Sequence, residues 1–138
     1  MPMDGDEWLH RYGLHPVGAG IDEVRRLLEV RGGLERHAQG DGDTELMKLC
    51  CVQLFNAGRL DDVPLIWRAK SASMDAECSI DIQLPCGSGL ARAKAYLSSQ
   101  HLLDALAARQ RLLGCEMAGD FESFSVEERS AQYAAYYA

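Results

Sequence analysis

The sequence predicts an all-α fold, and three observations carry that prediction. Glycine and polar clusters divide the chain into segments of roughly a dozen residues with apolar side chains at three- and four-residue spacing, the mark of short amphipathic helices. The segment ELMKLCCVQLF, residues 45 to 55, is apolar around most of its circumference and reads as a helix at the centre of a core. A single stretch, residues 79 to 84, alternates with a period of two, and one strand without a second would leave its hydrogen-bond ladder unpaired.

About seven helical segments follow from the periodicity. Residues 1 to 5 are expected to be disordered. A short helix near Glu7 to Tyr12 is broken by LHPVGAG, with its proline and two glycines. A second, over residues 21 to 30, places Ile21, Val24, Leu27 and Leu28 on one face, and Gly32 with Gly33 is expected to end it. The loop GDGD, residues 40 to 43, supplies Asp43 or the following Thr44 as a cap for the central helix. Asn56, Ala57 and Gly58 make the next turn.

In GRLDDVPLIWRAK, residues 58 to 70, Asp61 or Asp62 is expected to cap a helix with Pro64 in its first turn. Val63, Leu65, Ile66 and Trp67 face neighbouring helices, while Arg68 and Lys70 complement the negative end of the helix dipole. The stretch SIDIQLPCGSG, residues 79 to 89, fits a strand period, and Ala76, Ile80 and Leu84 also fit a helical one. The helix is favoured because no second alternating run exists to pair with a strand. Helices then run from Leu90 to Ser98, from His101 to Met117 and from Val126 to Tyr137, the last within a C-terminal cap over residues 119 to 138. Residues 1 to 138 are read as one helical domain of packed antiparallel helix pairs, an α-solenoid or an orthogonal bundle.

Composition narrows the function. The chain has 138 residues, 47% of them apolar, which is enough for one core. Its net charge of -7, from 21 acids against 14 bases, opposes a general nucleic-acid binder, because phosphate contacts are made with lysine and arginine. No apolar run approaches the length of a membrane span, and the start MPMDGDEW is acidic where a signal peptide is basic and then apolar. A cytoplasmic location without membrane or nucleic-acid partners is therefore expected. Five cysteines without paired spacing suit reduced, packed thiols better than a disulfide framework.

Three glycines align internally. Gly20 opens GIDEVRRLLE, Gly58 opens GRLDDVPLIW and Gly89 opens GLARAKAYLS, at spacings of 38 and 31 residues. The seventh and eighth positions after each are Leu27 and Leu28, Leu65 and Ile66, and Tyr96 and Leu97, an apolar pair that needs a neighbour to bury it. The first unit, with Glu23, Val24, Leu27, Leu28 and Glu29, resembles the second-helix portion of an ankyrin repeat. The second unit has Asp61 in place of the glutamate, and the T-P-L-H-x-A first-helix motif is absent, so the resemblance is partial and spans residues 7 to 98. It implies a non-catalytic scaffold of stacked helix pairs that offers a surface to a protein partner.

Candidate chemistry is sparse. In LPCGSG, Cys86 precedes two glycines whose amides could serve an oxyanion, but the four histidines stand far off in sequence and no nucleophile-elbow motif is present. The competing reading makes Gly87 and Gly89 left-handed helix ends. No C-x-x-C or H-x-x-x-H pair offers a metal site, and no cofactor is expected. Asp75 and Asp81 are less easily explained as caps than Asp61 and Asp62, and they read as contacts for a basic partner. Tyr133, Tyr136 and Tyr137 recur near helical spacing and serve either as core or as an interface, where tyrosine is enriched. Trp67 either completes the core or marks the edge of a partner's footprint.

The sequence thus points to a non-catalytic protein-interaction module, an adaptor, inhibitor or immunity-type antagonist, with Trp67, Asp75, Asp81, Tyr133, Tyr136 and Tyr137 as the partner-binding residues. The rivals are a small thiol hydrolase using Cys86 with a histidine, and a homo-oligomeric structural protein.

Overall fold

A computed structural model describes residues 4 to 138. They form eight α-helices: α1 (Gly5–Tyr12), α2 (Ala19–His37), α3 (Thr44–Ala57), α4 (Val63–Lys70), α5 (Met74–Ser79), α6 (Leu90–Ser99), α7 (Leu103–Met117) and α8 (Val126–Tyr136). Two 3-10 turns, Leu60–Asp62 and Leu84–Cys86, complete the regular structure, and no strand occurs among the described residues. The all-α expectation is met. Of the residues expected to be disordered, 1 to 3 lie outside the described part; Asp4 instead caps α1 by accepting the Glu7 amide at 2.8 Å, and Gly5 is the first helical residue. Among the described residues no helix is long and apolar enough to cross a membrane.

α3 is the central element, as its composition predicts. Leu46 and Met47, then every residue from Leu49 to Phe55, are buried. One of them is polar: Gln53 accepts the Trp8 indole N–H at 2.9 Å and donates to the Gly13 carbonyl at 2.7 Å, so its amide ties α1 and the following loop to the core with both ends satisfied. Asp43 caps the helix through the Leu46 amide, and Gly58 ends it in the left-handed conformation.

α2 runs beyond the glycine pair expected to stop it. A glycine inside a helix costs about 1 kcal/mol relative to alanine, less than the packing that holds this one. Gly32 is buried against α4, where a Cβ would stand 3.9 Å from Ala69 Cα, and α2 packs along both α3 and α4. From the last turn of α2 the buried Glu35 carboxylate gathers the Gly40 and Gly42 amides and the Ser73 hydroxyl, the last at 2.6 Å. That one side chain orders the loop before α3 and fastens it to the start of α5.

Asp62 and Lys70 depart from their expected roles. Asp62 makes no side-chain cap; its buried carboxylate receives a bidentate pair from Arg25, Nε at 2.7 Å and Nη2 at 3.1 Å, which clamps α2 to α4. Lys70 turns inward instead of outward and donates to the carbonyls of Glu77 at 2.7 Å and Ile80 at 2.5 Å, with the Glu77 carboxylate at 3.5 Å. The ammonium thereby satisfies the unpaired carbonyls at the end of α5.

The expected helix over residues 79 to 89 is corrected. α5 stops at Ser79, and the chain continues as a buried irregular segment with the 3-10 turn Leu84–Cys86. Its period of two has a different cause: Ile80 and Leu84 enter one hydrophobic cluster, while Ile82 and Cys86 enter another, so the segment threads between them. Gly87 is not left-handed, with φ at -62°; it is needed because a Cβ would collide with the Phe55 carbonyl. The first cluster is built by α1, α2, α3, α5 and one side of α4, with Tyr133 of α8 closing it edge-on to Phe55 at 6.0 Å. The second lies between α6, α7, Val63 and Phe121. The three aligned glycines occupy unlike places: Gly20 in the first turn of α2, Gly58 at the end of α3, Gly89 just before α6.

Candidate partner-binding cleft

The starts of α1 and α3 lie beside the end of α8, and together they enclose an open cleft of about 510 Å³. The sequence explains the convergence. α1 is pinned by Trp8 to Gln53 of α3, α3 begins where Glu35 has ordered the preceding loop, and α8 is seated on the core by Tyr133. Leu9, Leu46 and Leu49 form the apolar part of the cleft, Tyr136 and Tyr137 an aromatic wall, and Asp6, Asp43 and Glu45 its acids. Each acid belongs to the first turn or the N-cap of its helix, where a carboxylate is stabilised by the helix dipole.

The aromatic wall already holds a cation. Lys48 Nζ stands 4.9 Å from the centroid of the Tyr136 ring, which is 61% exposed, and the Tyr137 ring meets Tyr136 edge-on at 4.8 Å. A tyrosine face beside carboxylates attracts cations, through the ring quadrupole and through Coulomb attraction. Tyr137 is half-buried, and its hydroxyl is buried without a hydrogen-bond partner. Burial pushes that phenol's pKa up, and Tyr136, Glu45, Cys51 and Asp81 add to the effect.

The six residues expected at a partner surface separate into groups. Tyr136 and Tyr137 line the cleft. Tyr133 and Asp81 are turned inward: Tyr133 is a core residue, its hydroxyl donates to Asp81 at 2.6 Å, and burial followed by that hydrogen bond raises its pKa. Helical spacing could not reveal this, because Tyr133 lies on the one face of α8 that meets α3. Trp67 is half-buried and lines a small recess with Pro64, Leu97 and Leu102, remote in composition from the cleft. Asp75 is exposed in the first turn of α5. Of the acids the cleft does use, Asp43 reads in the sequence as a cap and Asp6 and Glu45 draw no reading, and nothing local marks the three as neighbours of the C-terminal tyrosines.

Cys86 lacks the setting of a nucleophile. It is 0% exposed, and burial pushes its thiol up to about 12, with Lys94 only partly opposing the shift. A reactive cysteine needs the opposite, an accessible thiol with a depressed pKa. No group of three or more histidine, cysteine or carboxylate side chains converges to hold a metal among the described residues. No protein-family model matches the chain, and neither a curated protein nor a solved structure was found to be similar to it.

Proposed function

We infer that the chain is a non-catalytic protein-interaction module whose acidic, tyrosine-lined cleft takes a basic segment of a protein partner. The observation that carries this reading is the lining of the cleft, where Asp6, Asp43 and Glu45 stand with Tyr136 and Tyr137. A lysine or arginine side chain of a partner finds there three carboxylates and the exposed Tyr136 side chain. The net charge of -7 supports long-range attraction of such a partner. The partial resemblance to ankyrin repeats adds the expectation of a scaffold that presents a surface, and a cytoplasmic setting belongs to the same reading.

Affinity capture from native extract with the wild-type chain and with Tyr136→Ala and Glu45→Lys variants tests it. The expected result is a stoichiometric basic protein that both variants lose and that rising salt releases. An unchanged set of captured proteins sinks the reading.

A further inference from the structure

Among the described residues Asp4, Asp43, Ser73 and Ser125 cap helices with their side chains, and Asp43 is unlike the rest. Asp4, Ser73 and Ser125 are extended, with φ of -80°, -160° and -134°, the conformation usual for a cap. Asp43 is left-handed, with φ at 64° and ψ at 85°. A Cβ makes that conformation unfavourable; aspartate tolerates it better than most residues without preferring it. Such a residue persists where its surroundings hold it, and Asp43 is one of the three acids of the cleft.

The hold comes from Glu35. Its carboxylate, 1% exposed, accepts the Gly42 amide at 3.0 Å and the Gly40 amide at 3.1 Å, and so fixes the chain immediately before Asp43. Gly42 is itself confined. A Cβ there would stand 2.5 Å from the Arg31 carbonyl oxygen and 3.0 Å from Met47 Sδ, which leaves this residue no free space toward α2 or α3. On the other side, the Asp43 carboxylate accepts the Leu46 amide at 3.2 Å and its carbonyl the Met47 amide at 2.9 Å. The left-handed turn is thus clamped between α2 and the first turn of α3. Ser73, at the start of α5, completes the clamp: its hydroxyl donates to Glu35 at 2.6 Å while accepting the Ala76 amide at 3.0 Å. Neither Glu35 nor Ser73 lines the cleft.

We propose that Glu35 is a positioning residue for the cleft: it holds Asp43 in the left-handed conformation in which that carboxylate lines the cleft together with Asp6 and Glu45, and Ser73 acts through it. The proposal rests on the reading of the cleft as a site for a basic segment. Affinity there then depends on two side chains outside its lining.

Calorimetric titration with an oligolysine peptide reads the cleft, and hydrogen exchange of the Leu46 amide reads the Asp43 cap directly. Glu35→Gln is expected to weaken peptide binding about tenfold and Ser73→Ala by a smaller factor, both with native circular dichroism and faster exchange at Leu46. Ser73→Ala leaves every charge in place, so its effect is not Coulombic, and Ser73→Thr, which keeps the hydroxyl, is expected to bind as the wild-type chain does. A wild-type chain that does not bind the peptide sinks the reading of the cleft and the proposal with it. Binding that Glu45→Lys abolishes while Glu35→Gln and Ser73→Ala leave it at the wild-type value overturns the proposal and spares the reading. Weakened binding with unchanged exchange at Leu46 overturns the proposal as well.

Discussion

Tyr137 carries a phenol hydroxyl into the protein with nothing to bond to, whereas Glu35 carries a carboxylate inside and satisfies it three times. The two make opposite predictions. An unsatisfied buried hydroxyl costs about 1 to 3 kcal/mol, so Tyr137→Phe is expected to leave stability unchanged or raise it by about 1 kcal/mol in denaturant unfolding. Glu35→Gln leaves donors short of an acceptor and is expected to cost about 1 to 3 kcal/mol. The Ser73 hydroxyl, opposed by burial and aided by the Gly40 and Gly42 amides, holds the Glu35 carboxyl below its ordinary value. A depressed carboxyl stabilises the fold fully above the unfolded carboxyl's pKa and ceases to do so as pH falls through its folded value. Unfolding followed from neutral to acid pH is therefore expected to show the wild-type chain losing stability there more steeply than Glu35→Gln. Tyr137 drew notice in the sequence only as one of the C-terminal tyrosines, and Glu35 drew none. Glu35 looks like any surface acid until the loop of Gly40 and Gly42 folds back over it.

At the scale of the element, glycines have separable jobs that the sequence presents alike. Gly33 lies in α2 with nothing within 4 Å of where its Cβ would be, so Gly33→Ala is expected to raise the thermal midpoint through helix propensity, a gain of about 0.5 to 1 kcal/mol. Gly42 sits where a Cβ would meet the Arg31 carbonyl oxygen and the Glu35 Cβ at 2.5 Å each. Gly42→Ala is expected to cost more than Gly33→Ala yields, measured in the same melts, because backbone and a pinned side chain must both move. The periodicity located α3, α4, α6, α7 and α8 to within a few residues, since an amphipathic stripe is a local property. It misplaced the end of α2 and the segment after α5 for one reason. Both are decided by contact with another element: Gly32 by Ala69, and residues 80 to 86 by the two clusters on either side of them.

At the scale of the molecule, two hydrophobic clusters share α4 and the buried segment after α5, and four of the five cysteines are sealed within them. Thiol titration of the native chain is expected to label Cys78 promptly and Cys50, Cys51, Cys86 and Cys115 only on unfolding. Prompt reaction at Cys86 would revive the hydrolase reading. The charge is likewise distributed by the fold: Asp6, Asp43 and Glu45, dispersed through the first third of the chain, join tyrosines from its end in one cleft. By itself the sequence determined the helical class, the central role of residues 45 to 55, the cap at Asp43 and the thiol state expected of the cysteines, because apolar spacing and capping act within a few residues. Only the tertiary structure decided that Asp62 and Lys70 turn inward, that Tyr133 and Asp81 bond to each other, and that Tyr136 joins the acids of α1 and α3 in one cleft. Those outcomes depend on which helix faces meet, a choice made by packing between residues tens of positions apart and invisible to any local pattern.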